Sequence, residues 1–351
     1  KGKKGVSSTA EIAKILDSPV LLIIDGRKMA QSGGALAYGY KNFDPELKVK
    51  GVILNNIASQ RHYKLIKESI EGEPVNLKVL GYIPRQQELE LPERHLGLVP
   101  THESEKLQEF TDRLVEIIEE YINLDKLLEL AGTGGKIKSK NKKLYKHESN
   151  YDVKIGIAYD KAFNFYYQYN LDLLETLGEE LIYFSPVNDN KLPELDGIYL
   201  GGGFPESFLK QLSENESMKN DLKEKIGCGL PVYAECGGLM YLSREIIDKE
   251  DNKYPMVNII HGTTKMKNSL QEMGYVEIKA IRDNLVLNKN EKARGHRFHY
   301  SQLVYLSEDI KSCYELDSGG TEGYRSCDNI LASYVHLHFG SNPDLAQNFL
   351  D

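Results

Sequence analysis

Short apolar runs alternate with amphipathic stretches from early in the chain. Residues 19–25 (PVLLIID) form an apolar run closed by a carboxylate, the look of a strand buried in a parallel sheet. Residues 49–55 (VKGVILN) and 77–83 (LKVLGYI) repeat it. Between them, residues 59–70 are predicted to be helical, with Tyr63, Leu65, Ile66 and Ile70 as apolar positions. A stronger helix is predicted over 104–122, where Leu107, Phe110, Leu114, Ile117, Ile118 and Tyr121 recur three or four apart in one stripe. Strands spaced by helices in this way predict a parallel α/β sheet.

The pattern then breaks. Residues 132–150 open on Gly132-Thr133-Gly134-Gly135-Lys136 and continue lysine-rich and almost without apolar side chains, which reads as a linker. A phosphate loop would need a Gly separated by four residues from its Gly-Lys pair and Ser or Thr after the pair, but those places hold Leu130 and Ile137. Beyond the linker a second series begins, with strands predicted at 153–159, 181–184, 197–200 and 231–234 and an amphipathic helix at 170–177. The expected organisation is two parallel-sheet α/β domains, 1–131 and 151–351, joined by 132–150, without an internal repeat.

Composition narrows the class. Hydrophobic residues make up 40% and charged residues 27% of the 351, a soluble globular profile. No apolar run reaches the length of a membrane span, and Lys1-Gly2-Lys3-Lys4 leads into polar residues without a signal-peptide core, so a cytoplasmic protein is expected. The net charge of −8 argues against a nucleic-acid-binding protein. Cys228, Cys236, Cys313 and Cys327 form no CxxC pair, so zinc and thioredoxin-like sites have little support and reduced thiols are expected.

Cys236 stands apart by context. Residues 231–240 (PVYAECGGLM) run from apolar strand through a cysteine and paired glycines into a helix, the layout of a nucleophile elbow. A thiol there sits at a helix N-terminus that favours the thiolate and whose N–H groups can receive an oxyanion. A buried cysteine in a tight turn explains the segment equally well. Two features shift the balance. Gly201-Gly202-Gly203-Phe204-Pro205-Glu206 follows directly on a predicted strand and offers further backbone amides, and residues 332–339 (ASYVHLHF) put His336 and His338 on one side of an extended segment. A histidine beside Cys236 would take its proton and later protonate departing ammonia. Metal ligation by the pair is disfavoured, because no other cluster completes a site at typical spacing.

The order strand, GGGFPE, strand, YAECGGL, YVHLHF resembles the glutaminase domain of the cobyric and cobyrinic acid synthase group, within the triad glutamine amidotransferases of class-I type. The resemblance implies Cys236 as nucleophile, His336 as its base, and Gly202, Gly203 and Gly237 around the oxyanion and glutamine. Many triad amidotransferases carry Glu two residues after that histidine; here the place holds His338, so no third member is visible. The first half resembles the dethiobiotin-synthetase-like ATPase domain of the a,c-diamide synthases, through residues 6–13 (VSSTAEIA), the strand into Ile24-Asp25, 51–55 (GVILN) and 91–98 (LPERHLGL). Residues 162–167 (AFNFYY) and 295–301 (GHRFHYS) extend the likeness.

What the resemblance implies is ATP- and glutamine-dependent amidation of tetrapyrrole acetate groups in cobalamin or methanogen nickel-cofactor biosynthesis. The substrate is cobyrinate or nickel-sirohydrochlorin, and a homodimer is left open. The family's P-loop and the acidic residues after it, which hold Mg2+, have no counterpart here. The chain is therefore expected to begin roughly a hundred residues into the family pattern, with no metal ligands in residues 1–351 and no acyl phosphate made by them alone. Asn55, at a strand end, is the candidate for adenine. Ser7, Ser8 and Thr9 contact phosphate or substrate, or simply cap a helix. Asp25 is either second to magnesium or a strand-end cap. Arg94 and His95 either pair with tetrapyrrole carboxylates or are surface charges. His296 and His299 are expected to be structural or substrate-facing. The rival readings are a cobyric acid synthase and a non-catalytic binding or regulatory protein with a glutaminase-like domain.

Overall fold

The computed structural model describes residues 8–86, 89, 104–135 and 153–351. The chain divides into two compact units, residues 1–142 and 143–351.

In the first unit α1 (Thr9–Ile15), β1 (Val20–Asp25), α2 (Ser32–Phe43), β2 (Val49–Ile57), α3 (Gln60–Glu71), β3 (Lys78–Pro84), α4 (Ser104–Tyr121) and α5 (Leu124–Ala131) follow in turn. The strands pair in parallel in the order β1-β2-β3, with Ile23 opposite Ile53 and Ile53 opposite Gly81. Helices cover both faces, which is why β2 is a continuous apolar run rather than an alternating one. Val52 and Leu54 pack with Ala37 of α2 and Ile66 and Ile70 of α3. Ile53 and Leu80 pack with Ile118, Ile122, Leu127 and Leu130 on the other side. Of the apolar positions read for α3, Ile66 and Ile70 are buried while Leu65 is exposed. The pattern gave no sign of α2, whose Gly33, Gly34 and Gly39 interrupt any stripe. Two of those glycines serve helix contact: a Cβ on Gly33 would come within 2.7 Å of Ile66 Cγ2, and one on Gly34 within 2.5 Å of the Ser69 carbonyl oxygen. Gly135 N–H donates to the Asp17 carbonyl (3.0 Å); the expected linker residues 136–150 lie outside the described residues.

The second unit comprises β4 (Lys154–Ala158), β5 (Phe163–Phe165), α6 (Gln168–Leu177), β6 (Glu180–Phe184), β7 (Gly197–Leu200), β8 (Gly202–Gly203), α7 (Leu209–Glu214), α8 (Glu216–Gly227), β9 (Val232–Glu235), α9 (Gly237–Leu242), β10 (Ser243–Ile247), β11 (Lys253–Pro255), β12 (Ile260–Met266), β13 (Glu272–Ala280), β14 (Lys292–His299), β15 (Ser301–Val304), β16 (Lys311–Leu316), β17 (Thr321–Arg325), β18 (Ile330–Ser333), β19 (His336–Leu337) and α10 (Asp344–Leu350). Among the described residues its main sheet has 10 strands in the order β19-β14-β13-β16-β17-β18-β9-β7-β4-β6. The strands read from the sequence are β4, β6, β7 and β9, which with β18 form the parallel part. The sheet then continues through antiparallel strands, of which the sequence reading had marked only the extended segment that holds β19. On β13 Val276, Ile278 and Ala280 are buried while Tyr275 is 77% exposed, so one face of that strand is wet and no long apolar run marks it. In the parallel part successive residues take opposite faces. Ile198, Leu200, Val232 and Ala234 pack with α7, α8 and α9, whereas Ile155, Ile157, Tyr199 and Tyr233 pack with α6 and α10.

Gly81 lets β3 pass under the α4–α5 junction. Its φ is +148°, a Cβ there would run into the Tyr121 carbonyl, and Asn123 N–H donates to the Leu80 carbonyl (2.8 Å) beside it. Gly81→Ala is expected to destabilise the first unit by about 2 kcal/mol or more in urea unfolding. Gly39→Ala, where a Cβ meets nothing within 4 Å, should be neutral or stabilising by up to about 1 kcal/mol.

Candidate active site

Strands β7, β9 and β18 lie side by side and parallel, so all three end at one edge of the sheet, where open α/β sheets gather their ligands. β9 ends at Glu235 and α9 starts at Gly237, leaving Cys236 alone to make the turn, at φ 47° and ψ −96°. A non-glycine residue in so sparsely populated a region costs on the order of 1–3 kcal/mol and needs support on all sides. Cys236 N–H donates to the Ser333 carbonyl at the end of β18 (2.7 Å), and Gly238 N–H donates to the Gly201 carbonyl just beyond β7 (3.0 Å). Gly238 sits so close to β7 that a Cβ would overlap the Leu200 carbonyl. A Cβ on Gly237 would come within 3.2 Å of the Gly203 nitrogen, so the elbow and the glycine turn touch. Gly202 abuts the other expected catalytic residue: a Cβ there would strike His336 Cε1. Cys236, His336, Gly202, Gly203 and Gly237 are thus brought together, and Cys236 is only 7% exposed.

His336 opens β19, which pairs with β14 so that His296 lies opposite it. Two polar side chains fix the segment that carries it. The buried Glu322 carboxylate accepts from Ser333 Oγ (2.5 Å) and the Tyr334 N–H (3.0 Å) before His336. Asn170 of α6 donates to the Leu337 carbonyl (2.8 Å) and accepts from the Phe339 N–H (2.9 Å) after it. His336 Nδ1 lies 3.6 Å from Glu235 Oε2, an ion pair rather than a hydrogen bond. Burial alone would push the His336 imidazole down, but the Cys236 thiol and the Glu235 carboxylate outweigh it and raise the pKa to about 10. His296 stacks face to face on His336, with centroids 4.7 Å apart and planes at 9°, and its Nδ1 is 2.6 Å from Tyr167 Oη. Burial first and the neighbouring His336 second push His296 down to about 4. His338 stacks on Tyr169 at 5.2 Å and lies edge-on to Tyr167, packed among aromatic rings, and offers no carboxylate in place of the glutamate expected there. His299 binds the Ser301 carbonyl through Nδ1 (2.8 Å) and stacks on Tyr334.

Residues 154–344 match the family profile of the CobB/CobQ-like glutamine amidotransferase domain, and residues 7–99 that of the CobQ/CobB/MinD/ParA nucleotide binding domain. The chain is 45% identical over 349 residues to a cobyrinate a,c-diamide synthase of Caldanaerobacter subterraneus subsp. tengcongensis, covering 98% of this chain and 76% of that one. With the protein of that name from Dehalococcoides mccartyi it shares 44% identity over 359 residues, 99% of this chain and 77% of the relative. With that of Methanothermobacter thermautotrophicus it shares 38% over 346 residues, 97% and 76% of the two chains. The chain belongs to the cobyrinate a,c-diamide synthase family.

In the family's nucleotide-binding half, Asn55 stands opposite Asp25 at the ends of β2 and β1. Its Oδ1 accepts from the Asn56 N–H (2.9 Å), and Asn56 Nδ2 in turn donates to Asp25 (3.1 Å). Hydrogen bonds from Arg27, with an ion pair of 2.7 Å, hold the Asp25 carboxyl down at about 2, and the arrangement is that of a strand-end cap. Ser8 Oγ accepts from the Glu11 N–H (3.1 Å) and caps α1, whose first residue is Thr9. Ser7, Arg94 and His95 lie outside the described residues. Sequence reading missed Glu235, Asn170 and Glu322. For Glu235 a signal existed, since a carboxylate inside an apolar strand must have partners when buried.

The low pKa of His296 has a consequence for stability. Between about 6.5 and about 4 the unfolded chain takes up a proton at this histidine that the folded chain refuses, so the second unit loses stability as pH falls through that window. His336, raised instead, contributes a constant term there. In urea unfolding, His296→Phe should show a smaller fall in midpoint between about pH 6.5 and about pH 4.5 than the wild type. Equal falls would mean that His296 protonates freely in the folded state.

Proposed function

We propose that this chain serves the amidation of the a and c acetate carboxylates of cobyrinate, taking ammonia from glutamine at Cys236, with each carboxylate activated by ATP on the nucleotide-binding domain to which residues 7–99 belong once the family's P-loop segment is present. The observation that carries the reading is likeness through both units: 45% identity over 349 residues with a relative bearing that name. The geometry of the second unit supports the first half of the chemistry. Cys236 Sγ, its proton taken by His336, attacks the glutamine carboxamide carbon. The resulting oxyanion lies where the amides of Gly203 and Gly237 meet, and Gly202 leaves room for the imidazole. The His336 imidazolium gives its proton to the nitrogen as the C–N bond breaks, releasing ammonia and leaving a γ-glutamyl thioester. Water, deprotonated by His336, then cleaves the thioester to glutamate.

The second half belongs to the first unit in this reading, with residues 132–150 as connection. A carboxylate oxygen attacks the γ-phosphorus of ATP, ADP leaves, and ammonia displaces phosphate from the acyl carbon. Asn55, at the carboxyl end of β2, is the candidate for adenine. Among the described residues no group of three or more His, Cys, Asp or Glu side chains converges to hold Mg2+, and no step is assigned to the ion. No helix among them is long and apolar enough to cross a membrane. In this reading the reaction takes place in the cytoplasm, where ATP and glutamine meet.

With the family's P-loop segment present, Cys236→Ser should reduce glutamate release and glutamine-dependent amidation by at least about 100-fold while amidation from ammonium salts persists. Undiminished glutamate release by the variant would reject Cys236 as nucleophile. Offered cobyrinate and nickel-sirohydrochlorin in parallel, the wild type should consume cobyrinate; consumption of the nickel compound alone would reassign the substrate.

A further inference from the structure

We propose that Glu235, the residue immediately before the nucleophile, is the positioning carboxylate of His336. The proposal rests on the glutaminase reading of Cys236. Glu235 ends β9 and shares the face of Tyr233, while the positive φ of Cys236 turns the chain so that both neighbours in sequence meet one imidazole. Its side chain is 1% exposed, and each oxygen is occupied. Oε1 accepts from Tyr233 Oη (2.5 Å) and the Leu337 N–H (2.9 Å); Oε2 accepts from Tyr199 Oη (2.9 Å) and faces His336 Nδ1 at 3.6 Å. Among the described residues it is the carboxylate within ion-pair distance of that imidazole.

With Nδ1 directed at Glu235, Nε2 is the ring atom left for the thiol. The carboxylate therefore selects the tautomer, orients the ring and stabilises the imidazolium formed when Cys236 gives up its proton. A carboxylate and an imidazole this deeply buried are a poor source of stability, and their desolvation is recovered only through such complete hydrogen bonding. The other titratable groups facing the pair do not compete for this role. Tyr199 and Tyr233, with Tyr166, Tyr167 and Tyr314 farther off, are phenols whose pKa burial raises, and His296 beyond His336 is kept neutral, chiefly by burial. A purely structural Glu235 would only hold Leu337, and a glutamine could do that through its amide oxygen.

Glu235→Gln separates the two roles, since it keeps shape and an acceptor while removing the charge. In the full chain it should lower kcat for glutamate release about 100-fold with KM for glutamine changed by less than about threefold. Glu235→Asp should recover activity to within about tenfold of wild type. In a Cys236→Ala background, imidazole NMR should show the His336 titration falling by about one pH unit or more on Glu235→Gln. An unchanged titration and unchanged kcat in the folded Gln variant would overturn the proposal. Should that variant not fold, Glu235→Asp decides. His336 titrating above the ordinary histidine range supports the pairing, and His336 at the ordinary value overturns it. A wild-type chain that releases no glutamate would instead defeat the glutaminase reading, while the imidazole titration would still judge the Glu235–His336 pair.

Discussion

Cys236 is held at φ 47° and ψ −96°, and the arrangement of its neighbours follows from that turn. An L residue leaves such a conformation unless its surroundings over-determine it. Here the neighbouring strand ends do so, β18 through the Ser333 carbonyl and β7 through the Gly201 carbonyl. The constraint also dictates glycine at specific places. Gly238 must approach the Leu200 backbone, and Gly237 must lie against Gly203, so the room around the thiol is made by removing side chains rather than by widening the sheet.

The same edge carries an unusual amount of buried polarity for a sheet whose core is otherwise apolar. Glu235, Glu322 and Asn170 are each almost inaccessible, and each is satisfied by backbone N–H groups or hydroxyls around the short β19. In a medium of low dielectric an unpaired carboxylate would be costly, and a fully bonded one is rigid. That rigidity is useful, because β19 is only two residues long and pairs with β14 over a single stretch. His336 owes its position less to strand pairing than to the clamps on either side of it.

Two histidines stacked at 4.7 Å are driven in opposite directions by their surroundings. His336 has a thiol and a carboxylate at its edges and is raised; His296 is lowered, by burial first and by the neighbouring His336 second. The division leaves one imidazolium rather than two in a confined space, and gives the charged ring a neutral partner to pack on. Asp25, at a partly open strand end, is lowered chiefly by the Arg27 side chain and backbone N–H, with a smaller part from Asn56.

Local pattern reported the elements buried on both faces. The runs that became β1, β2, β4, β7 and β9 are continuous and apolar because helices cover them, and the elbow at Cys236 was legible because strand, cysteine and paired glycines are contiguous. His336 was legible as a histidine in an extended apolar segment. The antiparallel strands β13 and β14 were not, since one face is in water and their apolar content is low. The partner of His336 was invisible for a different reason. Reading by spacing looked two residues onward and found His338, whereas the carboxylate comes from another strand, 101 positions earlier in the chain and adjacent only because β9 and β18 pair in parallel register, Glu235 opposite Ser333. Sequence alone therefore picked out the elbow cysteine, the late histidine and the strands that lead into the elbow and the glycine turn, but not Glu235. Only the tertiary structure decided which carboxylate meets which imidazole, because that depends on strand order, and strand order is set by long-range packing that no local spacing records.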